Sequence, residues 1–270
     1  VPDALVRVGG ILRRDARVAL SRPFGFLVRT LSPLTAIAGF YFVAQLVDPH
    51  RSLAIDGHHA GYFAYVSINL CFMVLLTTAL QSFSTTIRYD QLVGTLEPIF
   101  TTSTRPGLFV LGCAVWPFLI GIAQVALGLG IASSLMGLDL HATNFIGLAL
   151  FVALGTLTMS ALGIFGAAGV VAFKQVPPIN YLVGGAASLL SGTLFPTHLF
   201  PTLLQFVSWC LPLTHALRGL RGAIAGDSVA AVAPDAAWLG VAALVLLPLS
   251  FVVLHVAVER ARSGGTLDHY

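Results

Sequence analysis

A chain of 270 residues with 57% hydrophobic and only 9% charged residues is not a water-soluble globular domain, in which about a quarter of the residues carry charge. The formal net charge of +3 does not signal nucleic acid either, because the arginines gather beside apolar stretches instead of striping a soluble fold. Five or six long charge-free stretches set the solvent: about 20 apolar residues in helical form cross the ~30 Å hydrocarbon core of a bilayer, so the expected fold class is an all-α membrane protein in one embedded domain.

Residues 4–22 read as an amphipathic helix. At about 100° per residue, Leu5, Val8, Leu12, Ala16 and Ala19 fall on one arc, with Arg7, Arg13, Arg14 and Arg17 opposite. Such a helix lies in the interface, apolar face to lipid and arginines to phosphate and water, and residues 1–26 are assigned to it. The segment lacks a short apolar core with a small-residue cleavage site, so no cleaved signal peptide is expected. Pro23 and Gly25 break it before a first span over 27–47, which Pro33 should kink. A polar connection, 48–59, leads to a second span over 60–82. A long polar loop, 83–105, follows, holding Arg88, Asp90, Glu97 and Arg105 among threonines and serines.

The third span covers 107–134 around Pro117, a short turn spans 137–141, and the fourth span covers 144–172. Lys174, Gln175 and the Pro177-Pro178 pair precede a fifth over 178–195. The apolar stretch 199–211 is too short to cross, and Pro196, Pro201 and Pro212 bracket it, which fits a re-entrant pair of half-helices within 194–222. A last span over 237–257 closes the membrane domain, 27–258, before a tail, 259–270. With six spans both termini share a side. That side holds eleven of the fourteen Lys and Arg residues, against Arg51, Arg218 and Arg221 on the other, so both termini and the 83–105 loop are expected in the cytoplasm of a cell inner (plasma) membrane protein. No internal repeat is visible.

The chemistry is marked by absences. Lys174 is the single lysine and no glycine-rich loop precedes it, so no phosphate-binding P-loop is present. Carriers and pumps place ionisable groups within the bilayer; the spans as read hold almost none beyond His255, close to the end of the last one, and the energy source is expected outside this chain. Cys71, Cys113 and Cys210 read as small buried hydrophobes. His50, His58 and His59 read as solvated, with no metal expected. Phe40, Tyr41, Phe42, Tyr62, Phe63 and Tyr65 fit an interface belt better than a cargo path. Gly163, Gly166 and Gly169, or Gly184 and Gly185, fit close helix packing within one subunit better than a dimer face. No nucleophile elbow supports hydrolase chemistry. The run Arg88 to Glu97, broken by Gly94 and ended by Pro98, is either a docking surface for a soluble partner or a solvated loop with an internal ion pair, and residue chemistry alone does not choose between them.

The charged stretch leading into Gly94-Thr95-Leu96-Glu97, the Thr/Ser run behind it and Pro106 at the next span resemble the cytoplasmic loop of ABC transporter permeases of the type-2 exporter class. The likeness extends to the arginine-rich N-terminal helix and to the pattern Leu194-Phe195-Pro196, Leu211-Pro212-Leu213-Thr214 and Arg218, similar to that family's external re-entrant region. The resemblance implies that Arg88, Tyr89, Asp90, Gly94, Thr95, Leu96 and Glu97 form a coupling helix in a groove of a separate ATPase subunit, with Glu97 as the principal charge and the helix of Arg7, Arg13, Arg14 and Arg17 beside it. Pro196, Pro201 and Pro212 would shape an outer gate. It further implies a homodimer of permeases with two ATPases, ATP and Mg held by those partners, and no cofactor here. The expected function is export of an amphiphile (drug, lipid or glycolipid), with a lipid-linked polysaccharide as the alternative cargo. An ion-coupled carrier or an intramembrane transferase would need clustered ionisable groups, and none is read in the sequence.

Overall fold

The structure is a computed structural model that describes residues 2–21, 23–46, 53–55, 58–60, 62–93, 106–136, 140–173 and 178–263. Its helices are α1 (Pro2–Leu20), α2 (Pro23–Leu46), α3 (Tyr62–Val93), α4 (Pro106–Met136), α5 (Phe145–Phe173), α6 (Pro178–Leu190), α7 (Thr202–Cys210), α8 (Pro212–Ala225) and α9 (Ala233–Ser263). A 3₁₀ turn, Thr197–Leu199, precedes α7. The polar connection carries a small antiparallel hairpin, β1 (Leu53–Ile55) and β2 (His58–Ala60), with Leu53 opposite Ala60.

Among the described residues five helices are long and apolar enough to cross a membrane: Pro23–Gln45, Tyr62–Asp90, Ala114–Ser134, Phe145–Phe173 and Ala233–Ala261. In hydrocarbon every backbone group must be paired within its segment, which keeps α2, α4 and α9 helical through Pro33, Pro117 and Pro248. The expected fifth span is shorter than its sequence pattern. Helix α6 ends at Leu190, and 13 residues extend about 20 Å, less than the bilayer core. The second span is longer: α3 continues to Val93, so the first part of the expected loop is helix. Leu76, Ala79, Phe83, Ile87 and Asp90 recur at three- and four-residue spacing and are all buried, so one buried stripe carries the helix through its polar composition.

Helix α5 lies at the centre, packed against α9, α3 and α8. At one end Phe72, Leu75, Leu76, Phe151, Leu217 and Leu220 form the core; at the other it is Phe83, Ile87, Ile164, Val171, Leu254 and Val258. A Cβ on Gly163 would lie 2.7 Å from the carbonyl oxygens of Ala79 and Leu80, so α3 and α5 touch backbone to backbone there, as the small-residue pattern leads one to expect. The contacts also fix directions. Phe26 stacks on Trp116 and Gln124 reaches Thr30, so α2 and α4 run parallel. Leu75 meets Gly121 while Cys71 meets Gly128, so α3 runs against α4. Leu76 meets Gly155 and Leu80 meets Gly163, so α3 and α5 run together. Thr158 bonds the carbonyl of Leu239 while Leu254 and Val258 join the Ile164–Val171 cluster, so α9 also runs with α5.

Candidate functional site

At the α1 end of the bundle, α1 packs on α4 and reaches the foot of α3. Arg13, Arg14 and Arg17 are exposed and Arg7 belongs to the same helix. Arg14 Nη1 lies 3.6 Å from Asp90 Oδ1, and its Nε donates to Asp15 Oδ1 at 2.9 Å. Asp90 is only 2% exposed, on the buried stripe of α3, whereas Tyr89 is exposed and Arg88 half-buried. Arg88, Tyr89 and Asp90 therefore close the second span itself instead of opening a separate helix. Gly94, Thr95, Leu96 and Glu97 lie outside the described residues.

At the opposite end the three prolines each start a helical segment. Pro196 caps the 3₁₀ turn, Pro201 caps α7, and Pro212 occupies the first turn of α8, where the missing N–H leaves no bond unmade. Helix α8 lies antiparallel to the first half of α5. Ala216 faces Gly155, Gly219 faces Phe151 and Ala223 faces Gly147, and the backbone N–H of Asn144 donates to Ala223 O at 2.7 Å. Gly155 is ten residues into α5, so the start of α8 is about 15 Å deep, and α8 climbs from there to the end of the bundle.

This depth matters because α8 carries charge. His215, 3% exposed, has Nδ1 2.6 Å from Asp235 Oδ1 at the start of α9, and its Nε2 lies 2.8 Å from the carbonyl of Trp209. Arg218 Nε lies 3.7 Å from Asp235 Oδ2, and its guanidinium sits 4.9 Å above the Trp209 ring. Trp238 stacks on the imidazole at 4.5 Å. The expectation that the embedded segments hold almost no ionisable group is thus corrected. Separate helices bring His215, Arg218 and Asp235 together, while His255 is exposed on α9. The sequence hides this because Asp235 is twenty residues from His215 and reads as the edge of a connection. Both ring nitrogens face oxygen atoms, Asp235 Oδ1 and the Trp209 carbonyl. Each nitrogen and each carboxylate oxygen faces a partner, which makes the cluster a closed lock. Among the described residues no three His, Cys, Asp or Glu side chains gather at metal-binding spacing.

A second polar clasp joins α8 to α3 and to the turn after α6. Arg221 Nη1 donates to Asn69 Oδ1 at 3.0 Å and its guanidinium lies 4.9 Å above the Tyr65 ring. Asn69 Nδ2 donates to the carbonyls of Gly192 and Thr193 at 3.2 and 3.0 Å, and the Tyr65 hydroxyl donates to Gly192 O. Gly192 has φ +77°, which lets the chain turn beneath these donors. Tyr65, expected in an interface belt, is buried here. Helix α3 thus carries Asp90 at one end and Tyr65 and Asn69 at the other, about 37 Å apart along one continuous helix.

Comparison with known proteins gives one family. The model of the ABC-2 type transporter matches residues 7–225, from within α1 to the end of α8. No curated protein matches the chain.

Proposed function

The chain belongs to the ABC-2 type transporter family, whose members are membrane components without a nucleotide-binding domain of their own and generally work with an ABC ATPase subunit, and from that premise we propose that it exports an amphiphile by mechanical coupling to such a partner. The α1 end is the cytoplasmic one, in keeping with the excess of arginine there. Helix α1 lies in the interface, and Arg88, Tyr89 and Asp90 lead into Gly94, Thr95, Leu96 and Glu97, which dock on the ATPase. ATP and Mg are bound by the partner, two copies of the permease assemble around the export path, and the protein resides in the cell's inner membrane.

The observation that carries this reading is the continuity of α3. A displacement applied beside Glu97 enters α3 at the Arg14–Asp90 pair and arrives, through a single helix, at Tyr65 and Asn69, which hold Arg221 of α8 and the Gly192 turn after α6. A packed element with polar locks at both ends is suited to switch between two arrangements. Helices α7 and α8 then act as the re-entrant outer gate, shaped by Pro196, Pro201 and Pro212. The parallel course of α5 and α9 supports six passages, because the chain must return across the bilayer between them; α6 supplies the first part of that return and α8 the last.

The test is ATP hydrolysis by the complex of this permease with its ATPase in vesicles, stimulated by a fluorescent short-chain phospholipid. Glu97→Ala is expected to lower the stimulated rate several-fold while the permease still inserts; an unchanged rate removes the role assigned to Glu97. The buried His215–Asp235 pair favours a second reading, an ion-coupled carrier. Lipid transport by the permease alone, driven by an ion gradient without ATP, would establish that reading and end the first.

A further inference from the structure

A cavity of about 280 Å³ lies between α1, α2, α3 and α4, with walls that include Val18, Phe26, Thr30, Thr78, Trp116 and Gln124. We propose that it binds a compact neutral amphiphile, a one- or two-ring alcohol or phenol, that enters from the leaflet on the α1 side with its polar end leading. The inference is independent of the export reading and needs only that these helices cross a bilayer.

Size comes first. A cavity of about 150 Å³ accepts benzene, and drug-sized ligands occupy roughly 300–1,000 Å³, so this space admits about two rings. Shape comes from its two ends. Val18 and Gly25, in the walls, are exposed, and Leu20, Phe24 and Leu27 beside them are exposed as well, so the mouth opens between the end of α1 and the start of α2 onto an apolar rim. Behind the mouth, Phe26 and Trp116 stack with centroids 6.5 Å apart and make an aromatic wall. The floor is polar. Gln124 Nε2 donates to the Thr30 carbonyl at 3.3 Å, which puts Thr30 and Gln124 at one level, about 8 Å along α2 from Gly25.

Polarity in the walls and floor selects the ligand. The Thr78 hydroxyl donates to Val74 O at 2.7 Å, as helical threonines do. Thr30 behaves differently: its Oγ1 is buried and finds no hydrogen-bond partner among the described residues. A buried hydroxyl without a partner is costly, and a ligand carrying its own hydroxyl at the leading end removes that cost. A purely apolar molecule fills the same space and leaves Thr30 unsatisfied, so the site should discriminate between the two.

The experiment uses the permease–ATPase complex in phospholipid vesicles and a benzyl alcohol bearing a photoactivated diazirine, with adducts located by mass spectrometry. Saturable labelling of Phe26, Trp116 or Ile120 is expected. At equal concentrations in the membrane, benzyl alcohol should compete about tenfold better than toluene, and Thr30→Val, which keeps the side-chain shape, should abolish that preference. Gly25→Phe, at a position where an added Cβ meets nothing within 4 Å, should block labelling at the mouth. Labelling confined to outward-facing Leu27, Val28 and Leu127 without saturation overturns the site, and equal competition by toluene overturns the polar-end recognition.

Discussion

Asp235 is the residue on which the outer lock turns. Its two oxygens face His215 and Arg218, and it is 8% exposed, so removing it leaves the buried His215 ring, stacked on Trp238, without its carboxylate partner. Removing one partner of a buried hydrogen bond leaves the other unsatisfied at about 1–3 kcal/mol, whereas replacing both members by apolar groups of similar volume costs far less. Asp235→Ala is therefore expected to lower the unfolding temperature of the purified permease sharply, followed by tryptophan fluorescence, and the pair His215→Phe with Asp235→Leu to lower it less. Equal losses would mean that the polar contacts contribute no more than packing. None of this is legible in the sequence, where the two residues sit in different segments and only tertiary folding joins them. Arg14 is legible as a face of an amphipathic helix, but its choice of Asp90 is not.

Among the elements, long apolar helices are the easiest to read and short ones the hardest. α4, α5 and α9 follow from composition to within a few residues at most ends, since backbone pairing in lipid leaves no other solution. The extension of α3 is missed because composition turns polar while the buried stripe continues through Phe83, Ile87 and Asp90. Helix α8 reads as half of a short hairpin, yet ten of its residues are buried and it is seated on α5 as a core element. Gly219 makes this seating possible: a Cβ there would lie 2.0 Å from Cε1 of Phe151, itself wholly buried. Gly219→Ala gains up to ~1 kcal/mol of helix propensity but overpacks the contact at about 1–3 kcal/mol, so a net loss of stability is expected. Phe151→Leu should restore part of it. Gly130→Ala, where the added carbon meets nothing within 4 Å, is the control, expected to be neutral or slightly stabilising in the same thermal melts.

At the scale of the whole molecule, the decisive question is how many times the chain crosses. Among the described residues, length alone finds five helices, an odd number that would put the two ends of the chain on opposite sides. The helix directions support the six passages proposed above. α2 runs one way, α3 the other, α4 back and α5 forward again; α9 then runs with α5, as its contacts from Thr158–Leu239 to the Ile164, Leu254 and Val258 cluster require. In that proposal the return between two successive parallel spans is made in pieces by α6, the Gly192 turn and α8, none of which is long enough alone. The charge count agrees, since Arg260 at the end of α9 then joins the arginine-rich side of α1. Single cysteines at positions 88, 228 and 263, in a chain whose native cysteines are replaced by alanine, should separate these alternatives with a membrane-impermeant thiol reagent in intact cells. Position 228, exposed beyond α8, is expected to react from outside, and positions 88 and 263 only after the membrane is opened. Reaction of 263 from outside with 88 protected would mean five crossings, and the polar clasp from Arg221 to Asn69 could not then join the two ends of the coupling path as placed.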